Sequence, residues 1–342
     1  MHIFVTGATG FIGTAVVKEL LSEGHQVTGL SRTAQGADKL HHLGAKARVG
    51  QLDQSALLRE AAADSDGVIH LAFIHGLAHM DLMTRLRLFA GALNGGVMSS
   101  FLRILLQTES RAIQALGSGL EGTGRPLIVT SGVLMLPSGK ISTEDDNHVK
   151  DVPNRSFSET AALDLVPRGV RASVIRLSPT VHGSGDRGFI PYIIKAARKK
   201  GSSVYIGDGA NRWPAVHRLD AAKLFRLALE KGEAGAKYHG VDETGIPFRD
   251  IAERIATRLR IPAISIPTAK SARHFGILAN FVGQDNPSSS EWTRQTLGWA
   301  PEQAGLLADM DAHYFRAQTR SPGRRSAPQS VLTQEDTNRG RA

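Results

Sequence analysis

The chain has no cysteine. That absence excludes a disulfide framework, a thiolate nucleophile and any cysteine metal site, and it leaves a reducing compartment open to the protein. A long uninterrupted apolar run is also missing. The most apolar stretch, Leu86 to Leu106, is broken by Arg87, Asn94, Gly95, Gly96 and Arg103. A lipid-spanning helix would tolerate these poorly, so the stretch reads as a buried or interfacial helix and no membrane partner is expected. The first strand begins at His2, leaving no room before it for a leader, and the expected location is cytoplasmic. Acidic residues are outnumbered, 32 against 41 Lys and Arg, for a net charge of +9. Residues 316–342, however, hold six arginines against Glu335 and Asp336, a net +4 that accounts for nearly half of the excess. This segment is rich in Ser, Pro, Gly, Gln and Arg and has no apolar period, so it reads as a solvated, disordered tail. Nucleic acid is not an expected partner, because a charge balance alone is a weak electrostatic footprint. With 342 residues and 41% hydrophobic content, the chain can bury a large core in one or two domains.

The N-terminus carries the most informative pattern. An apolar strand, His2-Ile3-Phe4-Val5, runs directly into Thr6-Gly7-Ala8-Thr9-Gly10-Phe11-Ile12-Gly13. Ile12, Val16, Val17, Leu20 and Leu21 then recur at helical spacing until Gly24. A glycine-rich turn between strand and helix suits a pyrophosphate. Gly7 permits the tight turn, Gly10 lets backbone approach the phosphates, Gly13 lets helix and strand pack closely, and the helix N-terminus offers unpaired N–H donors. A second strand, Gln26 to Leu30, ends in Ser31-Arg32. An NAD site usually has a carboxylate here, whereas a 2′-phosphate calls for a hydroxyl and a guanidinium fork, so NADP(H) is preferred and NAD(H) is the alternative.

Further strands are expected at Ala47–Val49, Gly67–Ala72, Pro126–Ser131 and Ala172–Leu177, with a helix over Ser55–Ala63. Asp53 precedes that helix as a candidate N-cap or turn residue. The segment Phe73 to Gly96 is irregular, and its His75, His79 and Asp81 read as loop or helix surface, not as metal ligands. Thr130 and Ser131 stand at the C-terminal end of a parallel strand, where open α/β sheets bind ligands. The amphipathic helix Phe101–Leu116, with Leu102, Leu105, Leu106, Ile113 and Leu116, suits either a core or a homodimer face.

The turn at Thr6–Gly13 resembles the TGxxGxxG signature of the extended short-chain dehydrogenase/reductase superfamily, whose members are NAD-dependent epimerase/dehydratase-like. Two later stretches carry the same resemblance. Residues Ser178 to Asp186 are similar to its Pro-x-x-Val-Tyr-Gly-x-Gly segment, and Gly207 to Ala222 to its GDG-x-x-x-W-x-x-V-H-x-x-D-x-A segment. The resemblance implies an α/β fold, a Rossmann-type doubly wound parallel sheet with a smaller C-terminal substrate lobe. It implies an NADP(H)-binding domain over 1–185 to which some later segments return, a substrate lobe over 186–315, and the tail beyond. Cofactor contacts are implied for Gly7, Thr9, Gly10, Phe11, Ile12, Gly13, Ser31, Arg32, Leu71, Ala72 and Thr130, for Asp53 near the adenine, and for Pro179 near the nicotinamide. In the pocket wall, Trp213 would cover substrate or fill the core, Arg212 or His217 would bind a polar group, and Asp220 would cap a helix over 221–231.

The resemblance breaks at the catalytic pair. None of the four tyrosines, Tyr192, Tyr205, Tyr238 and Tyr314, begins a Tyr-x-x-x-Lys. Hydride transfer to a carbonyl leaves an alkoxide that needs a proton, so another donor is required. Arg155 occupies the tyrosine position and Glu159 the lysine position, and Gly132 replaces a usual hydroxyl residue, which matches an atypical subgroup. Arg155 could stabilise an oxyanion with Glu159 as base or as its orienting partner, or the two could form a plain i, i+4 ion pair. Ser131 could reach substrate. His182, where a tyrosine commonly stands, could exchange the missing proton or could be a loop histidine bonded to backbone. The implied function is an NADP(H)-dependent oxidoreductase acting on a hydroxyl or carbonyl of a small metabolite. The alternatives are an epimerase, dehydratase or isomerase with a recycled nicotinamide, and a non-catalytic NADP(H) sensor or scaffold.

Overall fold

Strand β1 (His2–Thr6) is buried along nearly its whole length, because it is a central parallel strand covered on both faces. A computed structural model describes residues 1–72, 97–149 and 156–315 of the chain. Around β1 lie β2 (Gln26–Ser31), β3 (Lys46–Val49), β4 (Gly67–His70), β5 (Pro126–Gly132), β6 (Arg171–Leu177) and β10 (Lys237–Gly240), in the order β10-β6-β5-β4-β1-β2-β3. Every pairing in this seven-stranded sheet is parallel. The strand order reverses between β1 and β4, and in a doubly wound sheet that reversal opens a ligand crevice beyond the strands' C-terminal ends.

Helix α1 (Phe11–Ser22) packs one face of the sheet beside α7 (Arg218–Lys231), burying Val16, Val17, Leu20, Phe225 and Leu229 in one core. Full burial of a side chain such as Leu20 stabilises the fold by about 1.5–3 kcal/mol. The opposite face carries α3 (Ser55–Ala63), α4 (Val97–Ser118) and α5 (Ser156–Leu163), whose Leu58, Ile113, Leu116 and Ala162 meet Phe4, Leu127 and Val129. Ile113 and Leu116 are therefore core residues, and α4 runs beyond the expected Phe101–Leu116 at both ends. At the sheet's far end, α2 (Ala34–His42) connects β2 to β3.

The smaller lobe is built from a sheet of β11-β9-β7, comprising Glu243–Pro247, Arg212–His217 and Thr180–His182, and from the pair β12 and β8, Ala263–Ile266 and Ser203–Ile206. Helices α6 (Phe189–Lys200) and α8 (Phe248–Leu259), the short α9 (Ser271–Phe275) and α10 (Ala279–Val282), and α12 (Leu306–His313) enclose a third core around Trp213, Phe248 and Phe275. Helix α11 (Glu291–Leu297) and Trp299 pack back against the main sheet's side, in the core that holds α1 and α7. No helix among the described residues is long and apolar enough to cross a membrane.

Candidate functional site

The glycines of the first turn are fixed by close approach. Gly7 has φ +69, and a Cβ there would stand 2.7 Å from the Ala72 amide nitrogen. A Cβ on Gly13 would lie 2.0 Å from the Gly7 carbonyl oxygen, so the first turn of α1 and the end of β1 can meet only without a side chain. Gly10 donates its N–H to the Gly7 carbonyl at 2.9 Å and precedes α1 without a side-chain cap or an acidic residue in the first turn. The positive end of the helix is therefore left for an external anion. Thr9, Phe11 and Ile12 are half-buried and Gly10 is exposed, which gives the turn an open side. Thr6, absent from the expected site, ties the cradle together. Its hydroxyl lies 2.8 Å from His70 Nδ1 and accepts the Ala72 N–H at 3.3 Å, placing Leu71 and Ala72 beside Gly7.

At the end of β2, Arg32 is exposed. Ser31, by contrast, is 2% exposed and donates its hydroxyl to the Thr33 carbonyl at 2.9 Å. With its hydroxyl engaged in this turn, Ser31 shapes the approach to α2, which Thr33 caps by accepting the Gly36 N–H at 3.1 Å. Lys39, missed in the sequence, reaches across from α2 and donates to the Thr9 carbonyl at 2.9 Å. Two cations, Arg32 and Lys39, thus flank a strand end without a carboxylate. Asp53 is exposed before α3, whose N-cap residue is Gln54, so Asp53 does not cap that helix.

At the C-terminal ends of β5 and β6 a buried polar cluster gathers around Glu159. Thr130 donates its hydroxyl to the His70 carbonyl at 3.0 Å, joining two strands. Ser131 is fully buried, with Oγ 3.5 Å from His148 Nε2. The same His148 nitrogen donates to Glu159 Oε2 at 2.8 Å. Glu159 accepts from Arg176 through Nε at 3.0 Å and Nη2 at 2.5 Å. The remaining Arg176 nitrogen donates to the Asp146 and Glu144 carbonyls at 2.8 and 3.2 Å. Burial pushes the Glu159 carboxyl up, but hydrogen bonds from His148 and Arg176 and the Arg176 charge outweigh it and hold the carboxyl at about 2. A carboxylate held ionised this firmly is a poor base near neutrality, and here it anchors His148 and Arg176. Arg155 lies outside the described residues. His148 Nδ1 is buried and has no hydrogen-bond partner among the described residues. Nothing in its loop spacing marked it as functional.

The lobe residues are mostly engaged with one another. His182 lies on β7, is 1% exposed, and pairs through Nδ1 with Asp309 at 2.9 Å while its ring meets His217 edge to face at 5.3 Å. The His182–Asp309 pair links β7 to α12. Burial, followed by the His182 charge, lowers His217 to about 4, and His217 caps α7 by accepting the Leu219 N–H. Asp220, expected as that cap, instead accepts the Glu302 and Gln303 amides at 3.0 and 3.1 Å. Arg212 is held bidentate by Asp285, and Trp213 is fully buried against Phe248 and Phe189. Pro179 is half-buried between β6 and β7. Among the described residues no group of three His, Asp or Glu could hold a metal, and His75, His79 and Asp81 lie outside them.

The sequence matches the NAD dependent epimerase/dehydratase family over residues 3–85 and 166–241. An uncharacterized Schizosaccharomyces pombe protein is 44% identical over 92% of this chain and 100% of its own length. A 4-hydroxy-2-methyl-3-oxo-4-farnesyl-3,4-dihydroquinoline-1-oxide ketoreductase of Stigmatella aurantiaca is 23% identical over 81% of this chain and 80% of its own. The fold is similar to that of DesIV, a dTDP-glucose 4,6-dehydratase from Streptomyces venezuelae with NAD and TYD bound, at a TM-score of 0.69 and 17% identity over 92% of this chain and 96% of that one.

Proposed function

Because this chain belongs to the NAD dependent epimerase/dehydratase family, we propose that it is an NADP(H)-dependent oxidoreductase acting on a hydroxyl or carbonyl group of a small metabolite. The observation that carries this reading is the glycine cradle beside a carboxylate-free β2 end flanked by Arg32 and Lys39. The cradle fits a pyrophosphate, and the two cations suit a 2′-phosphate, for which an arginine fork is well matched. The ketoreductase relative is consistent with carbonyl chemistry. When bound, the nicotinamide would supply or accept the hydride.

The chain's own task is then the proton. His148 is the residue we assign to it. Glu159 and Ser131 lie against Nε2 and fix the ring, leaving Nδ1 without a partner among the described residues. A buried nitrogen without a partner is unusual, and a substrate oxygen would satisfy it. In the neutral tautomer with Nε2–H, Nδ1 accepts the proton of a substrate hydroxyl. As imidazolium, it donates one to the alkoxide left by hydride transfer. Ser131, Glu159 and Arg176 are positioning residues for this ring.

Purified protein incubated with NADPH and a panel of carbonyl metabolites, with cofactor absorbance and products followed together, tests the reading. Substrate-dependent oxidation of NADPH is expected. An altered metabolite without net oxidation would overturn net redox chemistry in favour of a recycled hydride, and tight binding without any product would favour a sensor.

A further inference from the structure

Arg218 opens α7 at the junction of the two lobes, with its guanidinium carbon 5.0 Å from the centre of the Phe11 ring. Phe11 is the first residue of α1, directly after Gly10, so the cation stands over the mouth of the glycine turn. The aliphatic stem is held from the other side. A Cβ on Gly183, the residue after β7, would come within 3.0 and 3.1 Å of Arg218 Cγ and Cδ. Gly183 adopts φ +141, which L side chains rarely take, so the loop both tolerates a glycine and needs one to leave room for the arginine.

Arg218 meets no carboxylate among the described residues. Its Nε is buried and lacks a hydrogen-bond partner, and it forms no ion pair among the described residues. The nearby acid, Asp220, is occupied by the Glu302 and Gln303 amides. Other arginines of the fold differ: Arg176, Arg212, Arg226 and Arg294 each reach a carboxylate at 3.0 Å or less. A half-buried guanidinium with an orphaned donor, lying over a helix N-terminus that is itself uncompensated, makes a site for an anion.

We propose that Arg218 is a diphosphate ligand, closing the glycine turn from the lobe side and binding the bridging phosphates of the dinucleotide opposite the backbone N–H groups of α1. This rests on the dinucleotide reading above and adds a residue 205 positions beyond Gly13 to the phosphate site. It also gives the smaller lobe a direct hold on the cofactor.

Calorimetric titration of the full chain with three probes tests it: NADPH, 2′-phospho-ADP-ribose, which keeps the diphosphate, and adenosine 2′-phosphate, which lacks it. Arg218→Ala is expected to weaken NADPH and 2′-phospho-ADP-ribose about tenfold or more, as loss of a charge-assisted hydrogen bond implies. Adenosine 2′-phosphate should bind unchanged. Arg218→Gln, which keeps the stem over Gly183, should lose as much as alanine, and Arg218→Lys should recover part of the affinity. Unchanged affinity for 2′-phospho-ADP-ribose in both Arg218→Ala and Arg218→Gln overturns the proposal, as does an equal loss for all three probes, which would mark a packing role. If the unaltered protein binds none of the probes, the dinucleotide reading itself fails.

Discussion

Glu159 and Arg176 meet as a bidentate pair under the loop over residues 142–149, with the arginine fully buried and the carboxylate 6% exposed. Removing one partner of such a pair strands the other charge away from water, at a cost of about 3–5 kcal/mol. Glu159→Gln should therefore lower unfolding stability by that order in urea. The pair also has a pH signature. Its folded carboxyl sits at about 2 against an ordinary 4.5, so its contribution is complete above pH 4.5 and is lost as pH falls toward 2. Glu159→Gln should flatten the stability profile in that window, and an unchanged profile would contradict the assignment.

His239 gives a second, higher acid window. Its Nδ1 donates to the Ser289 carbonyl at 2.8 Å, and its Nε2 lies 3.5 Å from Arg176 Nη1, a donor. Protonation would set two cations against each other. Burial first, and Arg176 second, lower its pKa from 6.5 to about 3. The unfolded chain thus takes up this proton before the folded one does, and stability falls as pH drops from 6.5 toward 3. His239→Asn keeps a donor for Ser289 and should reduce the slope of chemical-denaturation stability over that range.

Cofactor choice is tested at the end of β2. Arg32→Ala and Lys39→Met should each weaken NADPH binding about tenfold, the order of one charge-assisted contact, and leave NADH nearly unaffected. Equal binding of both dinucleotides by the unaltered protein would remove the NADP(H) preference.

Gly13→Ala should abolish measurable NADPH binding. Its methyl would sit 2.0 Å from the Gly7 carbonyl oxygen, so α1 must retreat from the turn that it helps to form. The accompanying loss of stability, read from thermal unfolding, should be about 1–3 kcal/mol, as for other overpacked sites.

If His148 handles the proton, His148→Gln should lower kcat/KM about 10²–10⁴-fold once a substrate is known, the usual worth of a positioned acid or base. NADPH affinity should persist in titration. An active His148→Gln enzyme would return the proton role to the residues around it.

The sequence made the first turn legible because its meaning is local: strand, glycines and helix occupy consecutive residues, and each glycine answers to a neighbour a few positions away. Individual strands such as β5 and β6 are marked by their apolar runs, whereas the doubly wound sheet is implied by the family resemblance and its strand order needed the structure. The polar partnerships are not legible in this way. Thr130 and Ser131 stand where ligand contacts are expected, yet their hydroxyls turn to His70 and His148. Ser31 turns into its own loop. Lys39 lies 30 residues from the carbonyl that it meets, and His182 lies 127 from Asp309. Such pairings depend on how whole layers are stacked, and no short spacing encodes them. The swap of roles between His217 and Asp220 at the start of α7 has the same origin, since the carboxylate is drawn off by amides 82 and 83 positions further along.

Strand β10 and helix α7 come late in the chain, yet one lies at the edge of the main sheet and the other covers α1. The smaller lobe is consequently not a cassette. A chimera that joined residues 1–185 to the lobe of another protein would also import a foreign edge strand and a foreign helix face against Val16 and Leu20.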